Sequence, residues 1–168
     1  MLKERFVDIG RIIDRFKLEN QIKIELLIDD EEFIKVNDFY IKTLTGYRKL
    51  ELSFEFKTPN YIVYRVENLQ PELLNLLKGK EIYTKYENLP KLKEDEYYFI
   101  DLEECNVFEE NGELVGKVRK VIDNGKLYFL EFEEYIIPFS KRYIKEVNIH
   151  EKKIVLSSIF SEEKEYLK

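Results

Sequence analysis

Residues 111–132 read NGELVGKVRKVIDNGKLYFLEF. Asn111-Gly112 and Asn124-Gly125 place two turn signals within fifteen residues. An Asn-Gly pair tolerates the positive φ angles of a tight type I′ hairpin. Leu114 to Ile122 between the turns, and Lys126 to Phe132 after them, are rich in the branched and aromatic residues that suit a pleated surface. The stretch therefore predicts an antiparallel meander. Working outward, Tyr97 to Leu102 and Asn106 to Phe108 precede it, and Tyr135 to Pro138, Tyr143 to Ile149 and Lys153 to Ser158 follow. Together they predict a small barrel over residues 92–160. Ser161 to Lys168 is too charged to bury and is expected to be a frayed helix or disordered tail.

The first half repeats the pattern. Phe6 to Ile13, Gln21 to Ile28, Phe39 to Thr43, Lys49 to Phe56, Tyr61 to Val66 and Glu81 to Tyr86 read as six strands of a barrel over residues 1–88. Leu50, Leu52, Phe54 and Phe56 alternate with Glu51, Ser53, Glu55 and Lys57, which predicts one buried and one wet face. Between the last two strands, Pro71 and Gly79 bracket Glu72 to Lys78 as the start and stop of a short helix. Residues 87–96 are polar, contain Pro90 and show no sustained period, so the domain boundary falls there. The expectation for all 168 residues is an all-β chain of two small β-barrels joined by a short linker, with one or two short helices.

Composition narrows the function. Twelve Tyr and twelve Phe supply two small cores. Residues 1–88 hold 15 Lys/Arg against 16 Asp/Glu, and residues 89–168 hold 13 against 18, so −5 of the net −6 lies in the second half. That sign disfavours naked nucleic acid as the partner of the second half and favours a basic protein. No apolar run approaches the ~20 residues of a membrane span, and Met1 to Arg15 lacks the core of a signal peptide. A cytoplasmic protein with no membrane partner is expected. Cys105 stands alone and reads as a small buried hydrophobe.

No catalytic set can be assembled. His150, the single histidine, sits in the turn His150-Glu151-Lys152, and with one Cys and one His no ordinary zinc site or nucleophilic triad can be written. Six glycines spell neither the dinucleotide nor the phosphate-loop pattern. The carboxylate pairs Asp29-Asp30, Glu31-Glu32, Glu103-Glu104 and Glu109-Glu110 lack calcium-loop spacing and read as solvated loops. The expectation is a binding protein, not an enzyme, with no catalytic, metal or cofactor residue. One segment is unusual: as a strand, Tyr97 and Phe99 would face one way and Tyr98, Ile100 and Leu102 the other, making both faces apolar. Either the second face packs inside the protein, or it is an aromatic patch for a partner.

Several segments resemble the RimM family of bacterial ribosome maturation factors. Leu89-Pro90 and Leu92, followed by Glu94 to Leu102, resemble the segment joining that family's two domains. Asn111-Gly112-Glu113-Leu114-Val115-Gly116-Lys117-Val118 is similar to the G-x-x-L/V-G-x-V hairpin of its PRC-type barrel. Ile137-Pro138-Phe139, Val147 and Ile154-Val155 are similar to its closing strands. Ile9-Gly10-Arg11-Ile12 and Leu77-Lys78-Gly79-Lys80 are similar to segments of its first barrel. Two places depart: Phe16 to Gln21 lacks the family's His-Gly-x-x-Gly-like turn, and Leu102-Glu103-Glu104 replaces Leu-Ile/Val-Gly. The resemblance implies assembly of the small ribosomal subunit head and processing of its rRNA. It implies binding of a basic, uS19-like head protein through the C-terminal barrel. Tyr97, Tyr98, Asp101, Leu102, Pro138 and Phe139 are the candidate contact residues, with carboxylates steering the partner. The small-subunit precursor is the larger partner, with rRNA contact through the first barrel, where Arg5, Arg11, Arg15 and Lys17 lie. A monomer without cofactor is expected. The rival readings are a flavin-like small-molecule barrel and a PRC-barrel adaptor outside the ribosome.

Overall fold

The computed structural model describes residues 4–18, 20–36 and 38–168, with the backbone alone at Val36. It resolves into two units that meet in sequence at Lys91 and Leu92.

In the first unit, β1 (Phe6–Arg15), β2 (Gln21–Leu26), β3 (Phe39–Thr43), β4 (Gly46–Leu50), β5 (Leu52–Lys57), β6 (Ile62–Val66) and β7 (Glu81–Lys85) form one sheet. Its order is β4-β3-β7-β1-β2-β6-β5. The edge strands β4 and β5 are separated in sequence by Glu51 alone, so the chain steps from one edge to the other and the sheet must curl. Asn68 pins this corner: its Oδ1 accepts from Glu51 N at 3.0 Å and its Nδ2 donates to Lys49 O at 3.2 Å. The interior is filled by Ile9, Ile12, Ile22, Ile24, Phe39, Tyr64 and Ile82. Tyr64, buried among them, donates its hydroxyl to Ile34 O at 2.6 Å, which satisfies the only polar atom of its side chain. Each such side chain contributes about 1.5–3 kcal/mol by leaving water.

Three expectations for this unit are corrected. Lys49 to Phe56 is not one strand but two, because the corner at Glu51 breaks it, giving seven strands rather than six. Phe56 does not share a face with Leu52 and Phe54. A bulge between Phe54 and Phe56 puts an extra residue, Glu55, into β5, and the added residue turns Phe56 outward. The acidic run Asp29 to Glu32, read as a solvated loop, instead starts the helix α1 (Glu31–Val36): Asp30 Oδ1 accepts from Phe33 N at 2.8 Å, as an N-cap does. The short helix expected after residue 70 is a 3-10 segment, Pro71–Leu77, burying Leu74 and Leu77. Glu19, in the divergent turn from Phe16 to Gln21, lies outside the described residues.

In the second unit, β8 (Asn106–Phe108), β9 (Leu114–Asp123), β10 (Tyr128–Phe132), β11 (Tyr135–Pro138), β12 (Ile144–Asn148) and β13 (Lys153–Leu156) make a sheet of order β11-β10-β9-β8-β13-β12. The meander β8-β9-β10-β11 is antiparallel, as the Asn-Gly turns suggested, while β8 and β13 pair in parallel. The turns themselves are not type I′: Gly112 and Gly125 alone take positive φ, and the loops are longer than two residues. Gly116 leaves room for a neighbour, since a Cβ there would lie 2.4 Å from Glu133 Cγ.

Two further corrections follow. Tyr97 to Leu102 is not a strand; it enters the one-turn helix α2 (Phe99–Leu102). The tail is neither frayed nor solvated throughout: α3 (Ser158–Glu163) and a 3-10 turn, Lys164–Tyr166, carry it back along the barrel. Phe160 is fully buried against Phe132 and Tyr135, and Leu167 O accepts from Ile136 N at 2.8 Å. Two apolar anchors outweigh the charge around them.

Candidate functional site

Four exposed or half-buried aromatic residues of the second unit, Tyr97, Phe99, Tyr128 and Phe139, form two ring pairs near the start of α2. Tyr97 is half-buried, and its ring meets Phe139 edge-on at 6.0 Å. Phe99, 39% exposed, meets Tyr128, 46% exposed, edge-on at 5.1 Å. Phe139 N donates to Tyr128 O at 2.8 Å, which ties the two ring pairs into one surface. Edge-to-face pairs hold rings rigidly, so little side-chain freedom remains to be lost when a partner arrives.

Local structure explains the assembly. Tyr98, extended at φ −76° and ψ 139°, caps α2, and its carbonyl accepts from Asp101 N at 3.0 Å. The single helical turn sends Leu102 into the core, where it is 1% exposed, and leaves Phe99 in water. Asp101 is half-buried, and its carbonyl accepts from the Cys105 thiol at 3.2 Å. Burial pushes that thiol up from its ordinary value, which keeps it protonated and inert. Pro138 sits across from Phe129 at the end of β11 and delivers Phe139 to the patch.

The structure thus brings together Tyr97, Pro138 and Phe139, with Tyr98 and Asp101 on the same short segment. Leu102 is not available to a partner and supports the surface from beneath. Sequence reasoning did not pair Phe99 with Tyr128, whose rings the structure brings together here. Tyr128 has the parity of the core residues Leu130 and Phe132, and only its place at the first residue of β10 exposes it. Its position directly after the Asn-Gly turn was the available signal.

The surroundings are acidic. Glu94, Asp95 and Glu96 precede Tyr97, and of these Asp95 pairs with Lys141 at 3.2 Å. Both members of that pair are largely exposed, so it contributes little to stability. Partial burial, and then the carboxylates of Asp95 and Glu94, push the Tyr97 phenol up from its ordinary value. Residues 92–168 hold 12 Lys/Arg against 18 Asp/Glu, a net −6. Glu109, Glu113, Glu133 and Glu134 line an open depression in the same unit together with Lys164, which pairs with Glu109 at 3.7 Å. Among the described residues no three His, Cys, Asp or Glu side chains are grouped as metal ligands. His150 lies exposed in the turn between β12 and β13. No described helix is long and apolar enough to cross a membrane. Rigid rings within a carboxylate field are suited to recognising a basic surface.

Comparison with known proteins agrees with this organisation. Residues 94–162 match the PRC-barrel domain family. The chain is 34% identical over 172 residues to the ribosome maturation factor RimM of Thermotoga maritima, covering 92% of each. It is 28% identical to the RimM of Clostridium botulinum, covering 93% of this chain and 96% of that one. A crystal structure of a 16S ribosomal RNA processing protein RimM from Pseudomonas aeruginosa aligns over 91% of this chain and 97% of its own. That alignment has 15% identity and a TM-score of 0.41.

Proposed function

Because the chain belongs to the RimM family of ribosome maturation factors, we propose that it assists assembly of the small-subunit head and processing of its rRNA by docking a basic, uS19-like ribosomal protein on its C-terminal barrel. In this reading it acts in the cytoplasm as a monomer, carries out no reaction and holds no cofactor. The first barrel adds a weaker contact to rRNA.

The observation that carries the reading is the rigid pair of ring pairs, Tyr97 with Phe139 and Phe99 with Tyr128, in a unit whose net charge is −6. Anchor rings supply the contact energy, and the surrounding carboxylates raise the rate at which a basic protein finds them. Titration of the full chain with purified basic head proteins tests it. Phe99→Ala/Tyr128→Ala should weaken the complex at least tenfold while the melting temperature stays within a few degrees. Unchanged binding by that variant would overturn the proposed contact.

A further inference from the structure

The outer face of the first barrel carries a second aromatic feature that the C-terminal docking surface does not explain. Val63 is fully buried yet lies outside the barrel's core cluster. Its ladder partners are Lys23 on β2 and Phe56 on β5, so its side chain points outward with theirs. On a wet sheet face a valine with no exposed area must be roofed. The rings gathered on that face are Phe56, turned out by the bulge at Glu55, Tyr61, two residues before Val63, and Phe16, from the divergent turn that ends β1. Phe16 meets Phe56 at 5.4 Å and Tyr61 at 6.0 Å.

Two lysines lie over this roof. Lys17 Nζ is 5.7 Å from the Phe16 ring centre and Lys23 Nζ is 5.4 Å from that of Tyr61. Among the described residues, Asp14, opposite Lys23 in the ladder, is bound by Lys78 at 2.8 Å and so only partly offsets Lys23, and Asp29 is bound by Lys57. Neither Lys17 nor Lys23 forms an ion pair among the described residues. In a chain of net charge −6, a half-buried ring cluster with Phe56 38% exposed, carrying two lysines outside any described ion pair, is a basic spot on a neutral barrel. A basic protein is repelled here and a polyanion with flat faces is attracted.

We propose that Phe16, Phe56 and Tyr61 form a stacking platform for an unpaired stretch of RNA, with Lys17 and Lys23 on its phosphates. The rings offer π-faces that accept any base, and the lysines offer the counter-ion release that gives single-strand binding its salt dependence. The proposal deepens the reading that the first barrel touches rRNA, and rests on it for RNA as the polyanion.

The test uses the full chain and a short oligouridine carrying one central 2-aminopurine, whose fluorescence falls when it stacks. Wild type should quench the probe on binding, and a duplex of the same length should bind more weakly. Phe16→Leu should weaken binding about tenfold and abolish the quench. Lys17→Gln/Lys23→Gln should lower the slope of log affinity against log salt by about 1–2. Binding without quenching, or equal binding by Phe16→Leu, overturns the platform. If Phe16→Leu fails to fold, an unchanged salt slope in the lysine variant overturns it instead. Sedimentation with small-subunit precursors separates this from the broader reading: a chain that sediments but never quenches refutes the platform alone, and one that quenches but never sediments refutes the assembly role alone. If Phe16→Leu loses sedimentation while wild type itself gives no quench, the rings dock a protein and the platform is wrong.

Discussion

Residues 1–91 hold 16 Lys/Arg against 16 Asp/Glu, while residues 92–168 hold 12 against 18, so one barrel is neutral and the other carries the whole net charge. Both put aromatic rings outside their cores, but by different devices. In the first unit a β-bulge rotates Phe56 out of register, and the rings roof a buried valine under two lysines. In the second a single helical turn lifts Phe99 out while driving Leu102 in, and the rings stand among carboxylates. A small barrel has no room to spare inside, so surface for partners comes from local breaks in the strand period. In the proposed reading, the sign of the charge around each break then selects the partner.

The comparison can be broken first at the cores. Phe160→Ala removes the anchor that holds α3 on the second barrel and should cost about 3–5 kcal/mol. Cys105, fully buried in that unit, should then become open to alkylation while amide exchange in β1 and β2 stays slow. Rapid exchange in both units after this one change would show that they do not have separate cores. Gly10→Ala is the matching change in the first unit. Gly10 has φ +154° and a Cβ there would lie 2.1 Å from Glu25 O, a backbone atom that cannot swing aside, so a loss of about 2–4 kcal/mol is expected. Chemical denaturation of the two variants should give separate losses, with Cys105 protected in Gly10→Ala.

Smaller effects sharpen the contrast of surfaces. Phe99→Ala/Tyr128→Ala should cost about 1.5–3 kcal/mol in binding to a basic head protein, and much less in folding, because both rings are partly solvated already. Glu94→Gln/Asp95→Asn/Glu96→Gln should slow association several-fold at low salt and leave dissociation nearly unchanged, as stopped-flow mixing would show. The smallest effect concerns acid. Hydrogen bonds from Tyr143, and then Arg142, hold Glu163 below the usual carboxylate range. Its contribution to folding is therefore present above the unfolded value of about 4.3 and is lost only as pH falls through the lower folded value. Protection of the Ile136 amide, bonded to Leu167, should fade in that acid window and should not show that step in Glu163→Gln.

The all-β class, the meander and the 3-10 segment at Pro71–Leu77 were legible because each is written locally, in alternation, in Asn-Gly pairs and in the spacing from Pro71 to Gly79. What was not legible depends on contacts made elsewhere. Tyr97 to Leu102 is rich in β-favouring residues, and only the burial of Leu102 and Cys105 in the core makes a helical turn the better solution. The bulge at Glu55 has no local signature, so Phe56 could not be placed outside the core by alternation. The corner at Glu51 depends on Asn68, seventeen residues away. At the candidate site, Tyr97 and Phe99 stood out in the two-faced aromatic segment and Phe139 came with the resemblance, whereas the contact of Phe99 with Tyr128 emerged only when two distant segments met. Conversely, Leu102 looked like surface in a strand and is core in a helix.

Docking through the second barrel is read out by amide exchange on the full chain, free and bound to small-subunit precursors. Binding should slow exchange at residues 97–99, 128 and 139, together with the neighbouring end of β11, beyond any change in β12 and β13. Protection that leaves those residues untouched, in a chain that nonetheless sediments with the precursors, would contradict docking through the aromatic surface of the second barrel.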